Sequence, residues 1–485
     1  MTKKAILIIL CLWSFKSFAQ DTHYWSSDYS TAGFIVPGAV ITNNRDSGVV
    51  FYNPALLAFT NKNAANISGS IYQAESIRIK DGAGKGRNLT SNNVGIVPQM
   101  VSGTMRFKGS KPFTIGYALI QDHVVNYQAS QQFDGKVDAL NNRYSPGEEF
   151  FLGQYSLQNK INETSAILSG GFKLSPKLAL GFAAEGRLHS QFYSVDKSMR
   201  AIINTGKAAE LPPFVNVQES YEAKVTHAGI RFKMGLSYDE SRHHFGLMLT
   251  SPLMKLYGKG SILSDNALNN LAQIPEPGSD APLDTLNLLV NARQPNLKAN
   301  WKMPFTAALG YSYEFKRGQI YFAGEYFNNI ADYNILIPNG DFVARPATEI
   351  NSFITGQYFK LKDARTSVVN FGVGLSYMLK ENVTGYISAR IDKSYADEKA
   401  FKDEFGYVSH LSYWDNLHWQ VGANLKRRRF NLRAGLLFTR GATNEYEQPI
   451  NYDTPSEKNF LEGELNKTNG RNLGVKLLLA YMYNF

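Results

Sequence analysis

Four arginines have the chemistry for the most specific contact that this sequence suggests: Arg187, Arg231, Arg390 and Arg433. A guanidinium donates paired, charge-assisted hydrogen bonds to a carboxylate, so a buried arginine could hold an acidic ligand. Each lies in a segment of alternating polarity, on the same side as other charged residues: Glu185, Lys233, Glu314, Glu325 and Lys476. With six bases and three acids on that side, these charges could instead pair with one another. We expect mutual pairing for most of them and a ligand contact for one or two of the arginines.

Sequence patterns that carry catalysis or metal binding are missing from the chain. It has no phosphate-binding P-loop, no G-x-S-x-G, no H-E-x-x-H and no C-x-x-C. His243 and His244 are adjacent, so their side chains diverge on a strand. We therefore expect no enzymatic activity, no cofactor and no metal site.

The segments that carry the charged residues alternate with a period of two, which indicates β-strands. In 473–485, for example, apolar side chains share one face from Leu473 to Phe485, while Asn472, Gly474 and Lys476 share the other. Aromatic residues make up 13% of the chain, glycines number 40, and the mean hydropathy is only −0.27. This composition is typical of a transmembrane β-barrel, whose strands alternate instead of running apolar.

Fourteen strands are predicted, an even number as bacterial barrels require. They lie at about 64–80, 93–107, 112–128, 162–174, 178–195, 216–238, 243–258, 297–315, 319–334, 366–380, 383–395, 412–426, 429–442 and 471–485. Short connections alternate with long ones such as 129–161, 196–215 and 259–296, as short periplasmic turns alternate with long outer loops. Because lipid cannot satisfy an open strand edge, the sheet must close, which leaves residues 20–63 at the periplasmic mouth or inside the lumen.

The first nineteen residues have the features of a secretory signal peptide. Lys3 and Lys4 precede a short apolar core, and S-F-A at 17–19 places cleavage before Gln20. The single cysteine, Cys11, lies in this segment, so the mature chain would have neither a disulfide nor a cysteine-held metal. The formal net charge of +10 includes three lysines of the segment, and the remainder contains no long basic run that would suggest nucleic acid.

Three motifs resemble those of known membrane proteins. The chain ends A-Y-M-Y-N-F at 480–485, which is similar to the terminal aromatic signal of Gram-negative outer-membrane proteins. The segment K-M-P-F-T-A-A-L-G-Y-S-Y at 302–313 resembles a strand motif of the FadL/TodX family, outer-membrane transporters of long-chain fatty acids and other hydrophobic compounds. F-Y-N-P-A at 51–55 resembles the Asn-Pro-Ala hatch motif of the same family.

The resemblance implies a chain of three parts. These are the signal peptide at 1–19, a small helical hatch at 20–63 that plugs the lumen, and a 14-stranded antiparallel transmembrane β-barrel at 64–485. It assigns Asn53, Pro54 and Ala55 to the hatch as a gating element. The alternative for these residues is an ordinary turn, because proline removes a backbone donor and asparagine favours a local cap. For Asn53 we favour a structural role over a direct ligand contact.

The third predicted strand contains a break in its alternation. Apolar side chains point outward at every second position from 113 to 119, but Gln121 and His123 then fall on that face while Ile120 falls inward. A bulge exchanges the faces in this way. In the family an inward kink of the third strand opens the wall, which makes Gly116, Ile120, Gln121 and His123 candidates for a lateral opening. The alternative is that the strand has left the membrane above Ile120.

The predicted outer loop at 259–296 is richer in leucine than a polar loop requires. In the family, helices of two outer loops form an apolar groove that captures the substrate. The candidates for this role are Leu268, Leu271, Ile274, Leu286 and Leu289. A self-packed loop or a protein-binding patch would have the same composition.

Together these observations predict a passive channel in the outer membrane of a Gram-negative bacterium. Its ligands would be long-chain fatty acids or other hydrophobic small molecules, captured by outer loops, bound in the lumen and released sideways after the hatch moves. Its surroundings would be outer-membrane lipid and lipopolysaccharide. The alternative is a FadL-like barrel that serves as a structural or accessory subunit of an outer-membrane assembly or secretion complex, because a fold does not determine a function.

Overall fold

The computed structural model describes residues 21–25, 41–42, 49–60, 63–107, 113–140, 142, 145–204, 213–272, 285–340, 344–345, 358–402 and 405–485. The predicted signal peptide lies outside the described residues, as do 26–40 and 43–48 of the predicted hatch. Among the described residues, no helix combines the length and the apolar character needed to cross a membrane.

The described residues form twenty strands and a few short helical turns. In chain order the strands are β1 (Ala64–Ile79), β2 (Leu89–Phe107), β3 (Phe113–Val137), β4 (Glu149–Lys173), β5 (Leu178–Ile202), β6 (Phe214–Glu240), β7 (His243–Thr250), β8 (Met254–Ala272), β9 (Thr285–Lys298), β10 (Thr306–Phe315), β11 (Gly318–Phe327), β12 (Ile330–Leu336), β13 (Ala344–Arg345), β14 (Leu361–Arg365), β15 (Val368–Lys380), β16 (Val383–Asp392), β17 (Tyr407–Val408), β18 (Asn416–Lys426), β19 (Phe430–Glu447) and β20 (Lys467–Asn484). The helical elements are α1 (Val49–Tyr52) and the 3₁₀ helices Pro54–Phe59, Glu398–Ala400 and Glu457–Asn459.

Fourteen of these strands close into an antiparallel barrel, as the alternation predicted. The order around the wall is β1 to β7, β10, β11, β15, β16, β18, β19 and β20. β20 returns to β1, with which it pairs from Ala64↔Asn484 to Ile79↔Gly470. The cylinder therefore has no terminal edge strand, which is the condition for a sheet in hydrocarbon.

The outer surface of the barrel is apolar and its inner surface is packed. On β10, Leu309 is 63% exposed whereas its neighbour Ala308 is 1% exposed, because successive side chains point to opposite sides. Exposed aromatic side chains gather where the strands meet the short turns: Phe107, Phe113, Phe172, Tyr238, Phe245, Tyr377, Tyr481 and Phe485. An apolar exterior edged by aromatics is the surface of a transmembrane barrel of the outer-membrane type.

The wall is much taller on one side than on the other. β3 to β6 have 25 to 27 residues each, whereas β10 and β11 have 10. In the outer half of the tall wall the polarity is inverted, with Tyr127, Tyr155 and Tyr193 buried inside. Outer segments pack against these tyrosines, including Leu461 and the fully buried Tyr452. This half is thus organised like a water-soluble domain with an enclosed apolar core.

Six described strands lie outside the barrel cycle. β8 pairs with the outer half of β6, β9 pairs with β8, and β13 pairs with β9. β12, β14 and β17 form a separate three-stranded sheet. On β14 the buried Asp363 accepts hydrogen bonds from Arg365 Nε at 3.0 Å and Tyr333 Oη at 2.8 Å, and its other oxygen lies 2.7 Å from His410 Nε2. Burial opposes the charged form, but Arg365 and His410 outweigh it and hold the pKa of Asp363 well below its ordinary value.

The structure corrects two parts of the sequence prediction. Much of the predicted outer loops 129–161 and 196–215 belongs to the long strands β3 to β6. The described part of 259–296 forms strands, not the helices that the resemblance implied. The reason is that β6 extends beyond β7 and offers a free edge, which β8 occupies from Ile230↔Met254 to Asn216↔Asn269.

Candidate functional site

The hatch residues described here are 21–25, 41–42 and 49–60, and they lie inside the barrel. The lower part, α1 and the following 3₁₀ helix, contacts β3 to β6 near the periplasmic turns. Asn53 begins the 3₁₀ helix, with its Oδ1 accepting a hydrogen bond from Ala55 N at 3.0 Å. Its Nδ2 donates to Ile41 O at 2.9 Å and to Leu236 O at 3.1 Å. Asn53 therefore joins the 3₁₀ helix to the hatch segment at Ile41 and to the wall strand β6, which is a structural role.

Glycines on the inner wall make room for the hatch. A Cβ on Gly171 or Gly181 would overlap the backbone at Pro54, and one on Gly235 would overlap Asn53. The same holds on three further strands for Gly116, Gly246 and Gly310, which face Val50 and Ile41. Because hatch and wall approach this closely only where the wall has no side chain, these six glycines form a seat for the hatch, and we call them the glycine seat.

The upper hatch residues are held beneath the outer segments. The N–H of Trp25 donates to Asp392 at 3.1 Å and its indole Nε1 donates to Glu325 at 2.8 Å. Arg390 donates to the carbonyl of Trp25 at 2.8 Å. Asp21 accepts a hydrogen bond from Leu411 N at 2.7 Å. The described hatch residues thus extend from the outer part of the lumen to its periplasmic end.

A buried ionic network crosses the middle of the lumen. Arg187 contacts three carboxylates: Asp122, Glu163 (Nη2–Oε2 2.8 Å) and Glu185 (Nη1–Oε1 3.3 Å). Glu185 also contacts Arg231 at 2.8 Å and Lys233 at 2.9 Å. All six charged side chains are at most 8% exposed, and three cations balance three anions.

The network also reaches the hatch and a buried tryptophan. Lys233 Nζ lies 3.8 Å from the ring centroid of Phe51 and 3.3 Å from its carbonyl oxygen. His189, whose Nδ1 lies 2.9 Å from Glu163, stacks on Trp301 with ring centroids 3.9 Å apart. The network therefore connects β3, β4, β5 and β6 to the lower hatch and to the segment before β10.

The four arginines proposed as ligand contacts take different positions. Arg187 and Arg231 belong to the ionic network, Arg390 binds the hatch, and Arg433 lies 5.7 Å from the ring centroid of Tyr386. In this conformation Arg187 and Arg231 contact carboxylates, and Arg390 contacts a hatch carbonyl. A ligand carboxylate would have to replace one of those partners.

Two small cavities flank the network. One of about 60 Å³ is lined by Tyr24, Phe51, Arg231 and Met248, among others, and one of about 40 Å³ by His23, His123, Trp301 and Arg365, among others. Tyr24, Asp122, Arg187 and Met303 line both cavities. Each cavity has the volume of one or two water molecules. A hydrophobic ligand is larger than that, so its binding requires movement of the hatch or of the network.

The wall divides between β2 and β3, at the position of the predicted phase break. Eight residue pairs join these strands, and the last is Met100↔Ile120. Above it β2 stays with β1 and β3 stays with β4, where the register shifts between Gln121 and Val124. Between the described segments 94–99 and 121–125 no backbone pairing is formed.

The candidates for a lateral opening lie around this division. Ile120 is the last paired residue, Gln121 begins the bulge, and His123 lines the smaller cavity. Gly116 lies lower, in the glycine seat. The rim on β2 is apolar and exposed, with Val94 at 68% and Ile96 at 76%, and it includes Pro98, which has no N–H to donate across the gap.

The outer-loop candidates whose side chains the structure describes differ in exposure. Leu271 is buried, Leu268 packs partly buried against the outer core, and Leu289 is half exposed. Leu286 lies in β9, and Ile274 lies outside the described residues.

Sequence reasoning missed Asp122, Glu163, His189, Trp25 and Trp301. Asp122 had a signal, because it is a carboxylate within the predicted break of β3. Glu163 also had one, since it shares the inward face of the predicted strand 162–174. The tryptophans had none, because their positions depend on contacts between distant segments.

No family model matches the chain, and no curated protein matches it. Solved structures do match it over nearly its whole length. A FadL homologue from Pseudomonas aeruginosa superposes with a TM-score of 0.59 at 14% identity, covering 96% of this chain and 100% of the other. The Pseudomonas putida toluene transporter TodX gives 0.55 at 13% identity, covering 96% and 100%, and the Ralstonia pickettii toluene transporter TbuX gives 0.52 at 10% identity, covering 95% and 99%. At such identities the likeness establishes a shared fold.

Proposed function

We propose that the chain is a channel in the outer membrane of a Gram-negative bacterium that carries hydrophobic small molecules passively, with long-chain fatty acids the first substrate to test. The divided wall between β2 and β3 carries this proposal. An unpaired strand edge toward lipid is costly, so a division at membrane height calls for a functional reason. The fold shared with a FadL homologue and toluene transporters supports the same direction.

The path begins above the outer core and ends at the divided wall. The proposed chain organisation is a signal peptide at 1–19, the hatch at 20–63 and the barrel at 64–485. A ligand would displace the hatch, occupy the two cavities as they merge, and leave between β2 and β3 past His123. The lining of the larger cavity suits an amphipathic ligand, because it combines Phe51, Met248 and Phe327 with the cations Arg231 and Lys233.

A thiol cross-link across the division tests this proposal. The side chains of Asn93 and Asn126 meet at the upper end of the division, with Asn126 Nδ2 donating to Asn93 Oδ1 at 3.0 Å. The variant Asn93→Cys/Asn126→Cys, closed with a short bifunctional thiol reagent, should lose most of its uptake into vesicles and regain it when a cleavable linker is reduced. The matched control is Val101→Cys/Leu119→Cys, register partners in the paired part of the same two strands.

Two substrates separate the finer alternatives. Uptake of a long-chain fatty acid, but not of a neutral monoaromatic hydrocarbon, would identify the lumen cations as ligand contacts. Uptake of the hydrocarbon alone would place the chain with neutral-compound channels. If uptake is unchanged after the Asn93/Asn126 cross-link, as it is after the control cross-link, release does not occur through this division.

A second candidate function is an accessory subunit of an outer-membrane assembly or secretion complex. The observation in its favour is the filled lumen beside a large exterior hollow of about 510 Å³ on the tall wall, lined by polar residues such as Gln132, Gln154, Ser198 and Gln218. Purification in mild detergent followed by mass spectrometry tests it. A stoichiometric protein partner with no bound lipid or hydrocarbon would favour this candidate over transport.

A further inference from the structure

The barrel wall has a second break, between β7 and β10. These strands form eight residue pairs, the last of which is Thr250↔Thr306. β8 and β9, which continue them outward, resume pairing only at Lys259↔Lys298. The first division also begins after eight residue pairs, so the paired lower parts are equally long at the two breaks.

Prolines and an inward detour of the chain produce this break. Pro252 and Pro304 lie on the two sides of it, and neither has an N–H to donate to a ladder. The segment 299–302 turns toward β12 instead, with Asn300 N donating to Ile335 O at 2.9 Å and Lys302 N donating to Tyr333 Oη at 3.1 Å.

Three hydrogen bonds cross the break among the described residues. Leu253 N donates to Met303 O at 3.2 Å, Ala299 N donates to Gly258 O at 3.3 Å, and Lys255 Nζ donates to Ala299 O at 2.5 Å. Leu253 fills the space beside Gly229, where a Cβ would lie 2.8 Å from the leucine Cγ. Met303 closes the inner side as a lining residue of both cavities. The break is thus shut by two flexible apolar side chains and these three hydrogen bonds.

The outer rim of the break is apolar on both faces of the strand. Met254, Leu256 and Tyr257 are 45%, 70% and 51% exposed, and Phe305 across the break is 37% exposed. In a regular barrel strand alternate side chains would face the packed interior. Here Leu256 and Tyr257 are both exposed although they are consecutive, and the β2 rim of the first division is likewise apolar and exposed at Val94 and Ile96.

The two cavities border both breaks. The smaller cavity touches His123 at the first division and Met303 at the second, and the larger touches Thr250 and Thr306, the last pair below the second. Five strands, β3 to β7, separate the breaks around the wall. We propose that the β7–β10 break is a second lateral opening, gated by Leu253 and Met303, through which an apolar molecule passes between the bilayer and the lumen.

The test of the second opening needs no transport assay, so a failure of this opening can be distinguished from a failure of the proposed function. Only the ligand class of the opening rests on the proposed function. Cys11 is the only cysteine of the chain, so the variant Cys11→Ser provides a background without thiols. In the full-length protein in lipid vesicles, Met303→Cys should react several-fold faster with a maleimide dissolved in the bilayer than Met248→Cys does. Both methionines line the larger cavity, but Met248 lies behind the paired part of β7 and β10.

The reagents and a second variant make the test decisive. A membrane-impermeant maleimide added from water should label Met303→Cys slowly, because the route runs through lipid. Adding Leu253→Trp, which enlarges the gating side chain, should slow the lipid-borne reaction at Met303→Cys and leave Met248→Cys unchanged. Equal labelling of the two cysteines, faster labelling from water, or no labelling of Met303→Cys in a correctly folded barrel would overturn the second opening.

Discussion

Replacing Arg187 by methionine should strongly destabilise the barrel. Its guanidinium contacts Asp122, Glu163 and Glu185, and all four side chains are at most 6% exposed. Arg231 and Lys233 both contact Glu185, so the substitution leaves Asp122 and Glu163 without this partner. Removing one partner of a buried ion pair costs about 3–5 kcal/mol, a factor of roughly 10²–10⁴ in the folding equilibrium.

The double variant Arg187→Met/Asp122→Asn restores the charge balance of the network. It leaves two anions, Glu163 and Glu185, with two cations, Arg231 and Lys233. Because exchanging a buried ion pair for neutral groups is often nearly neutral, the double variant should recover much of the lost stability. Arg440→Met, at an exposed position of β19, is the control and should stay within about 0.5 kcal/mol of the wild type.

Urea unfolding in lipid vesicles, followed by tryptophan fluorescence, measures these differences. Trp301 is a suitable probe because it stacks on His189 beside the network. A cost for Arg187→Met below about 1 kcal/mol, typical of a solvated pair, would refute the reasoning. So would a double variant whose loss equals the sum of the two single losses, because independent sites add and coupled ones do not.

Three further predictions concern the hatch and the outer sheet. Gly181→Leu should push Pro54 and Ala55 from their place, seen as faster proteolysis of the hatch with the barrel intact; unchanged proteolysis would contradict the glycine seat. Asn53→Ala removes two side-chain bonds to carbonyls and the cap, at a cost of about 1–2 kcal/mol in hatch docking, and should raise the conductance for small hydrophilic solutes; a wild-type conductance would contradict the anchoring role. Asp363 has a depressed pKa in the folded state, so its stabilisation is present above the ordinary value of about 4 and is lost as pH falls through the lower folded value. Asp363→Asn should therefore speed hydrogen exchange of β14 at neutral pH and remove its acid dependence below about pH 4, and an exchange rate equal to the wild type at both pH values would contradict the role of the charge.

The strands within the membrane could be predicted because lipid outside and polar groups inside impose one pattern. The prediction for β15, 366–380, differs from the observed Val368–Lys380 by two residues. The outer halves of β3 to β6 escaped prediction because the pattern inverts there. On β4 the apolar side chains face outward at Leu168 but inward at Tyr155 and Phe151, so the alternation changes phase although the strand continues.

β3 shows why the site was only partly predictable. Its bulge shifts the backbone by one residue where the polarity also inverts, so apolar residues stay at odd positions before and after it. The sequence indicated a disturbance at Gln121 and His123, yet it could not show that Asp122 would contact Arg187. The second break was less visible still, because Pro304 falls within a segment that resembles an ordinary family strand and its partner Pro252 lies 52 positions earlier.

The glycine seat has a consequence for the order of assembly. Its glycines lie on β3, β4, β5, β6, β7 and β10. All six strands come before β20 in the chain, and β20 is the strand that closes the barrel against β1. An incomplete, open sheet of these strands already contains the whole surface on which the lower hatch rests. The hatch can therefore settle on a half-built wall and be enclosed when β20 arrives, so that its burial requires no threading through a finished cylinder. In the mature barrel the same enclosure means that the hatch can leave only along the barrel axis, or locally by rearranging within it.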